Sequence, residues 1–305
     1  MHQPVLLQEV ITFLDPRSGD CIIDGTVDGG GHAEAIIRKI MPSGKFLGLD
    51  WDERMLAKCE SRILHQDSCG QANRANIFLR HGNYANLPEI LKKEKFGIAD
   101  GLLLDLGFSS EQLVGSGRGF SFDEASAMEP LLMTYDDSRR PVREILRTLS
   151  EKEIANIIFD FGGERFSRRI ARAIMEREKR KPILCVGELA ETVRSTLPRN
   201  YERGRIDPAT RTFQAFRIYA NDELNNLERV LDDLDAIIKP GGRVVVISFH
   251  SLEDRIVKRA FQKFLKEKKV EVLTKKPMVA RDEEIKENPR SRSAKLRAIK
   301  LISRR

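Results

Sequence analysis

One stretch constrains the fold more than any other, residues 21–32, which read Cys-Ile-Ile-Asp-Gly-Thr-Val-Asp-Gly-Gly-Gly-His. A short apolar run ends at Asp24, glycines follow, and apolar residues then recur at helical spacing from Ala33 to Ile40. This order predicts a strand, a glycine-rich turn and a helix. In an open α/β sheet such a turn lies at the carboxyl end of the first strand, where ligands bind. The alternative is a tight turn that binds nothing.

The glycine spacing separates this turn from two common nucleotide-binding patterns. Glycines stand at 25, 29, 30 and 31. They do not match G-x-G-x-x-G, and the Lys and Ser/Thr of a phosphate P-loop are missing. A nicotinamide-dependent enzyme is therefore disfavoured, although a nucleoside ligand is not.

Further apolar runs predict a parallel sheet. We expect strands at 45–49, 76–80 and 101–105, separated by helices at 53–64 and 88–93, and three later strands at 243–249, 270–273 and 296–302. Buried strands that alternate with helices are typical of a doubly wound α/β fold. The prediction is a Rossmann-like, mostly parallel sheet of seven strands, four of them before a long interruption and three after it.

The interruption has the pattern of helices alone. Ser150 and Glu153 form a capping-box pattern for a helix that runs to about 161, and two more helices are predicted at 166–179 and 186–197. We therefore expect a discontinuous sheet domain, residues 1–112 and 207–305, with an inserted all-helical domain, 113–206. The insertion is expected to recognise RNA or another substrate.

Several boundaries after the insertion follow from capping and turn residues. Asp207 and Pro208 predict a helix start, and the periodic stretch that follows extends to 238 with a break near Asn221. The sequence Lys-Pro-Gly-Gly at 239–242 is expected to end it. Ser251 is predicted to cap a helix at 252–267, and the charged residues 275–294 are predicted to form a loop.

The charge distribution indicates a polyanionic partner. Net charge is +7, with 14 Lys/Arg against 7 Asp/Glu in residues 161–217 and 18 against 8 in residues 251–305. Nucleic acid is the first candidate, and solvated helix faces are the alternative. The sequence lacks a signal-peptide pattern, an apolar run long enough to span a membrane, C-x-x-C pairing and metal-ligand spacing. We expect a cytoplasmic protein without a metal or membrane association, and we allow for a homodimer.

Acidic residues recur where the predicted strands end. Asp24, Asp50 and Asp105 each close an apolar run, and the carboxyl ends of parallel strands meet at one edge of a sheet. Asp50 follows the glycine turn at the distance at which an acid accepts hydrogen bonds from ribose hydroxyls. Its alternative role is to cap the helix that follows.

The tetrapeptide Asp105-Leu106-Gly107-Phe108 suggests methyl transfer to an amino group. A nucleobase amino group is a poor nucleophile, so it needs acceptors for its protons and a pocket that positions it. An acid, a flexible backbone and an aromatic ring meet these needs, as in the Asp-Pro-Pro-Tyr tetrad of amino-group methyltransferases. An ordinary turn at the strand end is the alternative. His65 and His81 are interpreted as loop histidines, and His250 has either a substrate role or a packing role.

Motifs along nearly the whole chain resemble one family. They are His-Gln-Pro-Val-Leu-Leu-Gln-Glu at 2–9, the turn at 24–32, Leu-Asp-Leu-Gly-Phe-Ser-Ser-Glu-Gln at 104–112, Arg-Gly-Phe-Ser-Phe at 118–122, Gly-Glu-Arg-Phe at 163–166, Pro-Ala-Thr-Arg-Thr-Phe-Gln-Ala at 208–215 and Ser-Phe-His-Ser-Leu-Glu-Asp-Arg at 248–255. In this order they resemble the bacterial 16S rRNA cytosine-N4 methyltransferase family, of the RsmH or MraW type. The resemblance implies a class I S-adenosylmethionine-dependent methyltransferase fold with a helical insertion. It also implies methylation of a cytosine amino group in the decoding region of the small ribosomal subunit.

The resemblance assigns roles to individual residues. The implied cofactor-binding residues are Asp24, Gly25, Gly30, Gly31, His32, Asp50, Tyr84, Asp105 and Gln112. The candidate catalytic residues are Asp105, Phe108, Ser109 and Ser110, with Asp105 serving the cofactor, the target amino group or the junction between them. Base stacking by Phe108 is our own inference, since the family commonly has Val there.

Other departures from the family keep a second hypothesis open. Asp28 replaces a usual Gly, and Ala33 replaces a usual Ser. At 130–136 the chain reads Pro-Leu-Leu-Met-Thr-Tyr-Asp where the family tends to read Pro-Leu-Asp-Met-Arg-Met-Asp, so an acid and an arginine are lost. The alternative function is therefore a non-catalytic rRNA-binding or ribosome-assembly protein that retains the fold.

Overall fold

The computed structural model describes residues 4–65, 75–108, 116–198, 200–201 and 206–302. The chain divides into two compact units, one formed by Met1–Gly107 with Leu224–Arg305 and the other by Phe108–Glu223. The second unit extends to 223 because helix Thr210–Asn221 packs against helix Glu151–Gly162, where Ile158 and Phe216 share one buried cluster. The division predicted from the sequence, with the boundary at 206/207, assigns this helix to the sheet domain instead.

The first unit contains the predicted seven-stranded sheet. The strands are β1 (Cys21–Asp24), β2 (Lys45–Asp50), β3 (Ile77–His81), β4 (Ala99–Asp105), β5 (Ile238–Ser248), β6 (Val270–Val272) and β7 (Lys295–Leu301). Their order is β3-β2-β1-β4-β5-β7-β6, and β7 alone runs antiparallel to its neighbours β5 and β6. The chain turns from one half of the sheet to the other between β1 and β4, which confirms a Rossmann-like fold.

Alternate residues of each strand face two separate cores. Ile22, Phe46 and Leu103 lie in one buried cluster, whereas their neighbours Ile23, Leu47 and Leu102 lie in the other. Successive side chains of a strand point to opposite faces, so both faces of this sheet are apolar. Helices must therefore cover both faces.

The helices of the first unit supply those two layers. They are α1 (Leu7–Leu14), α2 (Gly31–Ile40), α3 (Glu53–His65) and α4 (Leu87–Lys93), and after the insertion α10 (Glu223–Asp232), α11 (Leu234–Ile237), α12 (Ser251–Lys266) and α13 (Asp282–Glu287). Helices α1, α2 and α3 pack on the face of Ile22, while α4, α10 and α12 pack on the face of Ile23. No helix in the described ranges is long and apolar enough to cross a bilayer.

The second unit is helical throughout its described regular structure. Its helices are α5 (Val142–Thr148), α6 (Glu151–Gly162), α7 (Ser167–Arg180), α8 (Val186–Thr196) and α9 (Thr210–Asn221). The predicted capping box is confirmed: Ser150 Oγ accepts from the Glu153 N–H, and Glu153 accepts from the Ser150 N–H at 2.8 Å. The predicted break near Asn221 is also confirmed, since Asp222 takes a left-handed conformation with φ 56°.

Four boundary predictions were wrong. The capping residue of α12 is His250 rather than Ser251, because Glu253 bonds back to its N–H. Helix α9 begins at Thr210, although the Asp207 carboxylate accepts from the Ala209 N–H in the turn before it. Strand β5 begins at Ile238 rather than Arg243. Its pairing with β4 shifts register between Ala99 and Gly101, so that residues 239–242 fit within the strand. Residues 275–294 contain α13 and a 3-10 turn, Pro289–Ser293, rather than only a loop.

Asn221 holds the unusual 130–136 segment in the second unit. Its side chain is fully buried; Oδ1 accepts from the Tyr135 N–H at 3.0 Å, and Nδ2 donates to the carbonyls of Met133 at 2.8 Å and Arg217 at 2.9 Å. Met133 has a φ of 56° and so cannot continue regular structure. One amide therefore replaces the backbone partners that this bend lacks.

We expect Asn221→Ala to lower the free energy of unfolding by about 2–4 kcal/mol, because the Tyr135 N–H and the Met133 carbonyl each lose a hydrogen-bond partner inside the protein. Asn156→Ala is the matched control, since Asn156 is exposed on α6 and should change stability by less than about 0.5 kcal/mol. Urea unfolding of both variants measures this. A cost for Asn221→Ala no greater than that of the control would contradict the structural role.

Candidate cofactor and catalytic site

Three acidic residues end neighbouring strands where the strand order of the sheet reverses. Asp24 ends β1, Asp50 ends β2 and Asp105 ends β4, and β1 pairs with both β2 and β4 in parallel. All three carboxylates therefore belong to one carboxyl edge of the sheet. This edge, at the β1–β4 switch, is the position at which open α/β sheets bind ligands.

Thr26 joins two of these acids. Asp24 Oδ1 accepts from the Thr26 N–H at 3.1 Å and lies 3.4 Å from Thr26 Oγ1, while Thr26 Oγ1 accepts from the Asp105 N–H at 2.7 Å. Asp24 Oδ2 is buried and has no hydrogen-bond partner in the described part of the chain. Asp24 Oδ2 can therefore accept a hydrogen bond from a ligand, since a buried acceptor is normally paired.

His32 lies beside Asp105 at the start of α2. Gly30 precedes the helix with a φ of 81°, and the buried His32 ring comes within 3.3 Å of the Asp105 carboxylate, measured from Nε2 to Oδ2. Neither ring nitrogen makes a hydrogen bond of good geometry to any described residue. The imidazole thus offers a second unused polar group near Asp105.

Asp50 organises the glycine turn. Its Oδ2 accepts from the Asp28 N–H and its Oδ1 from the Asp52 N–H, both at 2.8 Å. The capping alternative therefore applies, because the carboxylate closes a turn before α3. Each carboxylate oxygen has a second lone pair, so these bonds leave capacity for ribose hydroxyls.

Burial raises the pKa of two of these acids. Desolvation raises the pKa of Asp24 to about 7, against the effect of His32, which lowers it. Desolvation also raises the pKa of Asp50 to about 7, against the hydrogen bond from Asp52. Strongly raised carboxyl pKa values are typical of functional sites.

Asp28 takes a backbone conformation that favours glycine. Its φ is 44°, and its N–H is the one bound by Asp50. The Asp28 carboxylate also attracts Arg290, from the carboxyl-terminal segment. Burial lowers the pKa of Arg290, and the negative charge of Asp28 opposes that effect. Asp28 therefore replaces glycine at the cost of strain, and it adds an attraction to Arg290 that glycine lacks.

Tyr84 packs against Gly25 across the edge. It opens the 3-10 turn Tyr84–Asn86, which Asn83 caps by accepting from the Ala85 N–H at 2.9 Å. A Cβ at position 25 would lie 3.1 Å from Tyr84 Cβ and 2.6 Å from Leu104 Cδ2. Position 25 therefore has no space for a side chain, and the backbone there stays open to a ligand.

Phe108 has partners within the second unit. Its ring stacks on Tyr135 with centroids 5.5 Å apart, lies 5.3 Å from the Phe120 ring and has the Arg217 guanidinium over it at 4.4 Å. Base stacking by Phe108 stays a prediction. Ser109, Ser110 and Gln112 lie outside the described residues.

Sequence reasoning missed several groups at this edge. Thr26 lies within the 24–32 motif and no role is predicted for it, although its hydroxyl bridges Asp24 and Asp105. Gly31 packs under Pro4, since a Cβ there would be 3.1 Å from the proline ring, and Glu284 accepts from the Leu6 N–H at 2.7 Å. Two sequence signals could have found these groups. One is the Thr26 hydroxyl directly after a strand-end acid, and the other is the 2–9 motif, for which no helix or strand was predicted.

Comparison with known proteins identifies the family. Residues 1–302 match the sequence model of the MraW methylase family. "Ribosomal RNA small subunit methyltransferase H" of Thermotoga neapolitana is 44% identical over 305 residues, which cover 99% of this chain and 96% of that protein. The protein of the same name from Trichlorobacter lovleyi is 42% identical, with 97% of each chain covered. That of Syntrophobacter fumaroxidans is 40% identical, covering 98% of this chain and 95% of its own.

A match over nearly the whole length confirms the resemblance drawn from the motifs. The chain therefore belongs to the MraW methylase family, whose members are S-adenosylmethionine-dependent methyltransferases.

Proposed function

We propose that this protein transfers a methyl group from S-adenosylmethionine to the N4 amino group of a cytosine in the decoding region of 16S rRNA, in the cytoplasm. The observation that carries the proposal is the group Asp24, Thr26, His32 and Asp105 at the β1–β4 switch. Its unused acceptor at Asp24 and the nearby Asp105 carboxylate suit a cationic cofactor and an amino-group substrate.

The described residues fit this cofactor. Its ribose hydroxyls would donate to Asp50, its amino group would donate to the unpartnered Asp24 Oδ2, and its adenine would lie by Tyr84. Opposite charges attract strongly in a buried site, so carboxylates that are costly to bury become favourable when a cation binds. When bound, S-adenosylmethionine supplies an electrophilic methyl group on a sulfonium.

Asp105 is the residue that acts on the nucleophile. Its Oδ1 accepts from the Gly107 N–H at 3.2 Å, which directs the carboxylate along the turn after β4. A carboxylate there would accept hydrogen bonds from the cytosine amino group. It would take up the proton that the nitrogen loses as the nitrogen–carbon bond forms and the methyl–sulfonium bond breaks, with the electron pair of that bond passing to sulfur. His32, 3.3 Å away, limits the orientations open to that carboxylate. Positioning supplies most of the rate gain.

The rRNA phosphates are held by basic side chains. Helix α7 and the turn before it carry Arg165, Arg168, Arg169 and Arg172, all exposed, and α12 carries the exposed Lys258 and Arg259. Buried Glu164 fixes the start of α7: it accepts from the Phe166 N–H at 2.7 Å and from the Tyr201 hydroxyl. Such cationic faces bind nucleic acid without reading its sequence.

The alternative, a non-catalytic assembly protein, has the altered 130–136 segment in its favour. In the described structure its changed residues make internal contacts: Tyr135 stacks on Phe108, and Thr134 lies 3.4 Å from Arg118. These contacts give Tyr135 and Thr134 a packing role and do not require a loss of catalysis. Methyl transfer by the protein decides between the two functions.

We expect Asp105→Asn to lower kcat for methylation by about 10²–10⁴-fold, because the amide cannot take up the proton from the amino nitrogen. Small ribosomal subunits that lack the modification, incubated with labelled S-adenosylmethionine, provide the assay, and mass spectrometry of the rRNA locates the methyl. Asp100→Asn is the matched control. Asp100 lies at the opposite end of β4, accepts from the Cys21 N–H and pairs with Lys239, so its variant should keep full activity.

Absence of label at cytosine with the unsubstituted protein would refute the proposed function and favour the assembly role. Equal activities of the Asp105 and Asp100 variants would refute the role of Asp105 alone.

We expect Asp50→Asn to weaken cofactor binding by about 10- to 100-fold, because charge-assisted hydrogen bonds to the ribose are lost. Calorimetric titration with S-adenosylmethionine measures the Kd. Asp52→Asn is the control, since the Asp52 carboxylate bonds to Arg54 at 2.8 Å and should leave the Kd almost unchanged. Equal losses in both variants would indicate a general effect on the turn.

We expect cofactor affinity to fall as the pH decreases from 8 to 6. The raised pKa values of Asp24 and Asp50, both about 7, mean that each acid is ionised above this range and gains a proton through it. A protonated carboxyl is a weaker acceptor and does not attract a cation, so the Kd must rise. Asp50→Asn should reduce this pH dependence, leaving the part due to Asp24. A Kd that stays constant from pH 8 to 6 would contradict the assignment.

A further inference from the structure

The turn after β5 runs beside the turn after β4. The two strands are parallel with Asp105 opposite Ile247, and the Leu106 N–H donates to the Ile247 carbonyl at 3.0 Å. Phe249 therefore leaves the sheet at the same carboxyl edge as Gly107.

The Phe249 ring approaches the Asp105–Gly107 turn closely. A Cβ on Gly107 would lie 2.6 Å from Phe249 Cε2, 2.7 Å from its Cζ and 3.2 Å from Asp105 Oδ1. The tip of an aromatic ring and the proposed catalytic carboxylate thus border the same glycine. Any side chain at 107 would displace the ring, so glycine here serves a close approach.

Buried acid groups hold Phe249 in this place. Glu253 is buried, and its Oε2 accepts from the N–H groups of Phe249 at 2.8 Å and His250 at 3.2 Å. His250 Nε2 lies 3.1 Å from Glu253 Oε1. One residue further on, Asp254 bonds to Arg297 of β7 at 2.7 Å, which fixes the start of α12 to the sheet. The ring therefore projects from a turn that is anchored at several points.

The ring is only half-buried, although its turn is rigid. Phe249 packs at the margin of the core cluster that contains Val245 and Ile247. An aromatic side chain held rigidly but left partly uncovered is suited to stack on a planar ligand. Phe108 is half-buried as well, but its ring already contacts Tyr135, Phe120 and Arg217.

We propose that Phe249 is the side chain on which the target cytosine stacks while its amino group meets Asp105. This inference rests on the proposed function and moves the stacking role from Phe108 to a residue more than a hundred positions later. In this arrangement the acid at the end of β4 accepts from the amino group, and the ring that follows β5 stacks on the base. In other amino-group methyltransferases a single Asp-Pro-Pro-Tyr tetrapeptide supplies both groups.

The test compares Phe249→Leu, which keeps apolar volume but removes the aromatic face, with Phe249→Tyr, which keeps it. Stacking of a base on an aromatic ring contributes about 1–3 kcal/mol, so we expect kcat/KM for the small ribosomal subunit to fall about 5- to 150-fold in the Leu variant. The Tyr variant should stay within about threefold of the unsubstituted protein, because every base stacks on either ring. The Kd for S-adenosylmethionine, measured by calorimetry, should be unchanged in both.

Phe13→Leu is the matched control, because Phe13 is half-buried on the same core cluster as Phe249 but lies by Arg243, near the opposite end of β5. It is expected to lower the melting temperature through lost apolar contacts while leaving kcat/KM within about threefold. Phe108→Leu, at the ring first predicted to stack, is measured beside it. A large loss of kcat/KM in Phe108→Leu with none in Phe249→Leu would overturn the proposal. So would equal losses in the Leu and Tyr variants of Phe249, or a parallel loss of cofactor affinity, which would assign Phe249 to the cofactor pocket.

The two levels of inference fail separately. If the unsubstituted protein does not methylate cytosine, the proposed function is refuted and the stacking role with it. If it does and Phe249→Leu is fully active, only the stacking role is refuted.

Discussion

The candidate site depends on the burial of two carboxyl groups, those of Asp24 and Asp50, at one edge of the sheet. Asp24 and Asp50 are buried, and desolvation raises the pKa of each to about 7. In the folded protein these acids favour the protonated form, so the stability they contribute is full below their unfolded pKa near 4 and is lost as the pH rises through 7. At neutral pH and above, the fold therefore maintains a charge arrangement that a bound cation and ribose hydroxyls would stabilise. Binding and stability are linked through the same side chains.

Much of this arrangement could be predicted because it arises from local sequence. The strand bounds of β1, β2 and β4 follow from apolar runs that end in an acid, and parallel pairing then brings Asp24, Asp50 and Asp105 to one edge. The capping box at Ser150 was likewise readable, since its two partners are three residues apart. Features with short sequence separation and a defined chemical pattern were predicted correctly.

The features that were missed are long-range. Helix α1 and the segment 282–293 are stabilised by contacts between the two ends of the chain, such as the bond from the Leu6 N–H to Glu284, and no local pattern predicts them. The Phe249 ring comes to Gly107 only because β5 pairs with β4 across an insertion of more than a hundred residues. The His250 cap was missed for another reason, because histidine is an uncommon N-cap and Ser251 is a better one by propensity.

Two departures from the family pattern, Phe108 and Tyr135, contact each other in the second unit. Phe108 stands for a usual Val, and Tyr135 stands for a usual Met in the segment that also lost an acid and an arginine. These two rings stack on each other at 5.5 Å with an interplanar angle of 23°, and the Arg217 guanidinium lies over Phe108. A stacked pair stabilises by about 0.5–1.5 kcal/mol beyond its buried area. The same pairing occupies Phe108 within its own unit, so the role of aromatic partner to the substrate falls to a ring that the core leaves partly uncovered.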